Sequence, residues 1–246
     1  MNSIYQEVIQ FIDLTNLSND LNQTDLITLC EKSHSKAYKV AAICVEKQYV
    51  SFCKKYLSSS GIPIASVFNF PNGDQEISKI QDDISECIAK GVDELDIVIP
   101  IKNLMQTDDV NQFKEIIVSF ATEIRNFVPN KILKFIISTD VLQKISLIQA
   151  ATEAVILAKA DFVKTCTGKN GGGVTLEALQ NMLDVIKNMK SNIGIKASGG
   201  IRNVQFAAEI YNLVKKSRGE ELTPKNFRLG ASGLLDDLLF HGQEFY

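Results

Sequence analysis

Lys164 and Lys196 are the side chains on which chemistry in this chain would turn. Lys164 lies in Asp161-Phe-Val-Lys-Thr-Cys-Thr167, whose β-branched Val163, Thr165 and Thr167 suit a short strand. Gly168-Lys-Asn-Gly-Gly-Gly173 follows, a loop that lets a ligand approach the backbone closely. A lysine in a buried strand can snorkel outward or pair with an acid. It can also be an amine that attacks a carbonyl, and then it must be uncharged. An ordinary lysine has a pKa of about 10.4, so less than about one in a thousand is neutral at pH 7. Burial and a second nearby cation both lower that value. Lys196, in Gly194-Ile-Lys-Ala-Ser-Gly-Gly200, supplies the second cation at an equivalent position one strand later. Adjacent parallel strands lie about 4.8 Å apart, so two such ammonium groups repel. Asp96, among apolar neighbours in Glu94-Leu-Asp-Ile-Val-Ile99, is either a satisfied buried acid or a carboxylate that moves protons for the lysines.

The elements that would hold these residues repeat along the chain. Short apolar runs occur at Phe11–Thr15, Lys39–Val45, Ile62–Phe68, Glu94–Ile99, Ile132–Ile137, Phe162–Thr165, Ile193–Ala197 and Phe227–Gly230. Helical periods lie between them: Leu26, Leu29 and Cys30; Ile77, Ile80, Ile84 and Ile88; Val110, Phe113, Ile117, Phe120 and Ile124. Ile145 to Ala158, Leu176 to Ile186 and Val204 to Val214 continue the pattern. Eight such strand–helix units in 246 residues predict an α/β fold, a (β/α)8 TIM barrel forming one domain over residues 1–246. A doubly wound open sheet is the alternative, but no G-x-G-x-x-G follows the first strand.

Barrel enzymes carry their chemistry at the C-terminal ends of the strands. There, Ser198-Gly-Gly-Ile-Arg202 follows the seventh run and Gly230-Ala-Ser232 the eighth. Glycine loops at these two ends, each leading into a helix, are the usual barrel phosphate site. On the plainer reading Ser232 caps the last helix and Arg202 is a solvated surface residue.

A net charge of −3 gives no global basic field, so neither nucleic acid nor an anionic membrane is an expected partner. No apolar run is long enough to span a membrane, and the first ten residues lack a secretory pattern, so a cytoplasmic location is expected. Five cysteines with no C-x-x-C read as reduced, mostly buried thiols. His34 and His241 are too few for a zinc cluster, and no metal is expected.

Taken together, Glu94-Leu-Asp96, Asp161-Phe-Val-Lys-Thr-Cys-Thr-Gly168, Lys196-Ala-Ser-Gly-Gly-Ile-Arg202 and Arg228-Leu-Gly-Ala-Ser232 resemble the deoxyribose-phosphate aldolase family. Asp13-Leu-Thr-Asn-Leu17, Ala41-Ala-Ile-Cys44 and Asn69-Phe-Pro-Asn-Gly73 extend the resemblance over essentially the whole chain. It implies a class I aldolase that needs no metal or cofactor and reversibly cleaves 2-deoxy-D-ribose 5-phosphate to acetaldehyde and D-glyceraldehyde 3-phosphate. By motif, Lys164 would be the Schiff-base lysine, Lys196 the lysine that perturbs it, and Asp96 a partner of Lys196 in proton relay. Gly168, Lys169, Gly199, Gly200, Arg202, Gly230 and Ser232 would line the sugar-phosphate pocket, with Asp13, Thr15 and Cys44 in supporting positions. Some members end in a tyrosine on a tail that reaches the site; here that residue is Tyr246, with a disordered tail as the equal alternative. The resemblance allows a homodimer. Four departures stand out: Cys166 where Ser is usual, Gly233 where a second Ser is usual, Ser138-Thr139-Asp140 where Glu-Thr is usual, and an unusually glycine-rich loop, Asn170-Gly-Gly-Gly173. They are expected to affect affinity and rate rather than reaction type. The competing readings are another lysine-dependent phosphosugar aldolase and a non-catalytic phosphosugar-binding barrel. An isomerase would want a glutamate or histidine base.

Overall fold

Successive side chains of a strand face opposite ways, and the apolar runs use this to separate two environments. The computed structural model describes residues 7–104 and 109–243, so Tyr246 lies outside the described residues. Strands β1 (Ile12–Asn16), β2 (Ala42–Val45), β3 (Ile64–Phe68), β4 (Glu94–Val98), β5 (Ile132–Ile136), β6 (Phe162–Lys164), β7 (Gly194–Ser198) and β8 (Phe227–Ala231) pair in sequence order. All pairs are parallel, and β8 returns to β1 to close the barrel. This is the expected (β/α)8 architecture.

Outward-facing residues such as Leu95, Ile97, Leu133, Phe135, Val163, Ile195 and Leu229 form one apolar core with the surrounding helices. Most of each helix stripe read from the sequence is buried: Ile80 and Ile84 in Ile77–Ala89, joined by Cys87, and Phe113, Ile117 and Ile124 in Val110–Phe127, joined by Ala121; Ile88 and Val110, read into the stripes, are instead exposed. Side chains start several helices by accepting free backbone N–H groups: Asp109 before Val110–Phe127, Thr175 before Leu176–Asn188 and Asn203 before Val204–Arg218.

The inner face is different. Barrels of this kind usually fill their interior with branched apolar side chains. Here Asp13, Glu94, Asp96, Lys134, Lys164, Lys196 and Arg228 are all buried and contact one another across the barrel. Gly194 leaves space for the Phe162 ring, since a Cβ there would lie 2.4 Å from it. The Arg228 guanidinium in turn lies 5.5 Å from that ring's centroid, a cation–π contact.

Five runs, those of β2 to β6, are shorter as strands than the sequence suggests, β2 by the most. β6 ends at Lys164 because the Thr165 hydroxyl replaces the ladder: it accepts from Ser198 N–H at 2.9 Å and donates to Ser198 O at 3.0 Å. Asp161, at the start of that run, turns outward to Arg125 at 2.5 Å and to Leu133 N–H at 2.8 Å. β2 begins only at Ala42; Lys39 instead makes an isolated antiparallel bridge with His34. The five cysteines are buried and unpaired, as expected. No helix among the described residues is long and apolar enough to cross a membrane.

Candidate active site

The loops after β1, β6, β7 and β8 surround a cleft of about 430 Å³ at the C-terminal end of the barrel. Its walls include Thr15, Gly168, Lys169, Gly199, Gly200, Arg202, Gly230 and Ser232, and Lys164 lies at its base. The residues expected at a sugar-phosphate pocket therefore do converge. Asp13, Cys44, Asp96 and Lys196 are not on its walls; each is 0 % exposed, in the layer beneath.

The rim follows from glycine geometry. Gly199 and Gly200 have φ of +90° and +76°, a region that side-chain-bearing residues avoid. A Cβ on Gly173 would lie 2.6 Å from Gly199 O, so the β6 loop can lie on the β7 loop only without one. Val174 N–H then donates to Gly199 O at 3.1 Å. Gly230 has a second role that the phosphate reading missed. A Cβ there would meet Ser198 Cβ at 2.9 Å and Lys196 Cε at 3.1 Å, so its absence makes room for the Lys196 stem. Lys169 Nζ reaches Leu17 O at 3.3 Å, while exposed Arg202 makes no ion pair among the described residues. Two helix N-termini, at Val204 and Leu234, follow the two glycine loops.

Beneath the cleft, register brings the lysines together: Lys164 on β6 is directly opposite Lys196 on β7. Both reach the same oxygen, Asp96 Oδ2, at 2.8 Å and 2.7 Å. Lys196 also approaches Asp13 Oδ2 at 2.5 Å, as an ion-pair contact off the hydrogen-bond direction. The other Asp96 oxygen, Oδ1, accepts from Lys134 at 2.8 Å. Lys134 continues to Glu94 at 2.6 Å, and Arg228 joins Glu94 at 3.0 Å to Asp13 at 2.5 Å. Lys134, Glu94 and Arg228 were not singled out from the sequence. The available signal was a charge at alternate positions of a buried strand, as in Leu133-Lys134-Phe135 and Glu94-Leu95-Asp96, which marks inward-facing residues.

These surroundings treat the lysines differently. Burial is the main influence that lowers the pKa of Lys164; Asp96 opposes it, and Lys196 adds to it. Both influences expected from the sequence act here, and desolvation ranks ahead of the second lysine. For Lys196 burial is outweighed by Asp13 and Asp96, and its pKa is raised. Asp96 is held well below the usual carboxylate range: burial opposes this, but Lys134, Lys164 and Lys196 prevail. Asp13 is lowered too, with Lys196, Arg228 and Lys134 overcoming burial. Burial pushes the Cys44 thiol up to about 11, with Asp96 adding to the rise. Lys164 is the amine that this environment favours as a neutral nucleophile.

Of the departures, Cys166 and Ser138 are buried and off the cleft walls. Cys166 Sγ is 3.1 Å from Thr139 Oγ1, and its carbonyl accepts from Ser198 Oγ at 2.6 Å. Ser138 is buried in a left-handed conformation, φ +52°. A Cβ on Gly172 would lie 2.6 Å from Asp140 Cβ, so Asp140 packs against the β6 loop at a position that only glycine allows. Gly233 has open space where a side chain would go.

A closed parallel barrel with a buried lysine at the base of a glycine-rimmed cleft defines a (β/α)8 barrel with an amine set beside a small-ligand site. Residues 7–236 match the DeoC/LacD family aldolases, and the chain belongs to that family. A candidate deoxyribose-phosphate aldolase from Coccidioides immitis is 27% identical, with a TM-score of 0.81 over 98% of this chain and 87% of that one. An aldolase called QR15 is 25% identical, with a TM-score of 0.79 over 98% of this chain and 99% of that one. A tetrameric deoxyribose phosphate aldolase from Aeropyrum pernix shares the fold at 18% identity, with a TM-score of 0.76 over 98% and 93% of the two chains.

Proposed function

We propose that this family aldolase is a class I enzyme that cleaves 2-deoxy-D-ribose 5-phosphate to acetaldehyde and D-glyceraldehyde 3-phosphate. The observation that carries the reading is Lys164 at the cleft base, sharing Asp96 Oδ2 with the buried Lys196. Neutral Lys164 attacks the C1 aldehyde of the open-chain sugar, and loss of water gives an iminium. A base takes the C3 hydroxyl proton, the C2–C3 bond breaks, and its electron pair passes into the iminium. The three-carbon phosphate leaves as an aldehyde. Protonation of the two-carbon enamine at C2 and hydrolysis release acetaldehyde and regenerate the lysine. Asp96, 2.8 Å from Lys164 Nζ, and Lys196 behind it serve as the proton relay. The glycine loops at 199–200 and 230–232, with Arg202 and Lys169, hold the phosphate and convert binding into alignment. Thr15 is on the wall for contact with the sugar, while Asp13 and Cys44 act from the buried layer.

Borohydride trapping with 2-deoxyribose 5-phosphate, followed by peptide mass mapping, tests this reading. A reduced adduct on the Lys164 peptide, absent in Lys164→Ala, is expected. No adduct in folded, phosphate-binding protein would end the reading for this sugar and turn attention to other phosphosugars. Self-association belongs to the same proposal, supported by the tetramer of the Aeropyrum pernix protein. Light scattering counts the protomers.

A further inference from the structure

The buried contacts beneath Lys164 close into a ring. In order it runs Asp96, Lys134, Glu94, Arg228, Asp13, Lys196 and back to Asp96. Its six contacts are 2.8, 2.6, 3.0, 2.5, 2.5 and 2.7 Å, and acid alternates with base at every step. A brace of 3.6 Å from Lys134 to Asp13 crosses it. Three carboxylates face three cations, so the ring is neutral. Lys164 joins it from outside, through Asp96 Oδ2 alone. Among the described residues it is the one interior charge without a counter-charge of its own. A low-dielectric interior penalises an unbalanced charge far more than a balanced set.

We infer that the ring selects Lys164 as the one amine to go uncharged, and that Lys134 is a positioning residue within it. Lys134 does this in two ways. By holding Asp96 Oδ1 it turns Oδ2 towards Lys164 and Lys196, and by its charge it balances the ring. Lys134 is also the largest of the influences that lower the Asp96 pKa, which fits this role. The charged or titratable groups that act on Lys164 are Asp96 from β4, Lys196 from β7 and Cys44 from β2. Those acting on Lys134 are Asp13, Glu94, Asp96 and Arg228, with Lys196 and Cys44 beyond them. The inference rests on Lys164 as the nucleophile of the proposed reaction.

Charge balance predicts opposite shifts for two substitutions. Lys134→Met leaves the ring with an excess carboxylate, which favours ammonium at Lys164. Glu94→Gln leaves an excess cation, which favours the free amine. Cyanate is small and carbamylates neutral amines, so the pH dependence of Lys164 carbamylation, read by peptide mass mapping, follows its ionisation without any sugar. Lys134→Met should raise the midpoint by about one pH unit or more, a tenfold loss of reactive amine below it. Glu94→Gln should lower it. A merely structural role would reduce the amount of folded protein in both and move neither midpoint. If Lys134→Met does not fold, the downward shift in Glu94→Gln still tests the sign. A lowered parent midpoint that both variants leave in place, or move the same way, overturns the ring's role and spares the proposed function. A parent midpoint equal to that of an ordinary surface lysine overturns both.

Discussion

Asp96→Asn tests the site at its most connected side chain. The carboxylate meets Lys134 at 2.8 Å on one oxygen, and Lys164 at 2.8 Å and Lys196 at 2.7 Å on the other. An amide keeps one accepting oxygen and turns an NH2 group towards an ammonium. Removing one partner from a buried ion pair costs about 3–5 kcal/mol. In a chain of this length 1 kcal/mol moves Tm by about 2–4 °C, so a fall of about 6–20 °C is expected at pH 7. The gap has a pH signature. Because the folded-state pKa of Asp96 is depressed, its stabilisation is present above the ordinary carboxylate value and is lost as pH falls through the folded value. Parent and variant should therefore converge in acid. The chemistry should split in two. Asp96 stabilises the Lys164 ammonium, so its loss does not hinder formation of the amine adduct. Loss of a proton-transfer group lowers turnover by about 10²–10⁴-fold. Thermal unfolding between pH 3 and 8, borohydride trapping and steady-state rates check the three parts. A Tm within about 2 °C of the parent, against the about 6 °C minimum, would refute the buried network. Trapping that falls in step with turnover would refute the assigned role of Asp96.

Lys164→Met should abolish trapping yet raise Tm by about 2–4 °C, since it removes the unbalanced interior charge; differential scanning fluorimetry decides the sign. Gly230→Ala should destabilise by about 1–3 kcal/mol and lower kcat, because the new Cβ would meet Lys196 Cε at 3.1 Å; urea unfolding and rates measure both. Gly233→Ser fits open space ahead of the Leu234–Gln243 helix and should lower KM for the phosphorylated substrate several-fold. An unchanged or raised KM would show that a second hydroxyl is not what this phosphate site lacks.

Much of this was legible in the chain because periodicity is local. Phe113, Ile117 and Ile124 mark the face of their helix without reference to anything else, and the strand runs stand out between such helices. Lys164 and Lys196 were legible because each precedes a glycine loop at a strand end, and register then sets them side by side. The buried layer was not. Arg228 meets Asp13 across 215 positions and Glu94 across 134, so nothing near any of them in sequence announces the partnership. The role of Gly230 as space for Lys196 was hidden for the same reason. The end of β6 was misjudged because Thr165 looks like a strand residue, while its hydroxyl in fact clips the Ser198 backbone.

The inward charges are divided along the chain. Asp13, Glu94 and Asp96 come from β1 and β4, while Lys134, Lys164, Lys196 and Arg228 come from β5 to β8. A half-barrel cut between β4 and β5 would enclose three carboxylates and no cation, and its complement four cations and no carboxylate. Neither half could dehydrate its inner face at neutral pH without its counter-ions. Each is the other's counter-ion. Closure must therefore be late and cooperative, since contacts spanning 134 and 215 residues form only once the last strand docks. Two separately made halves, each unstructured alone, would find one another first by charge, and salt would slow that encounter.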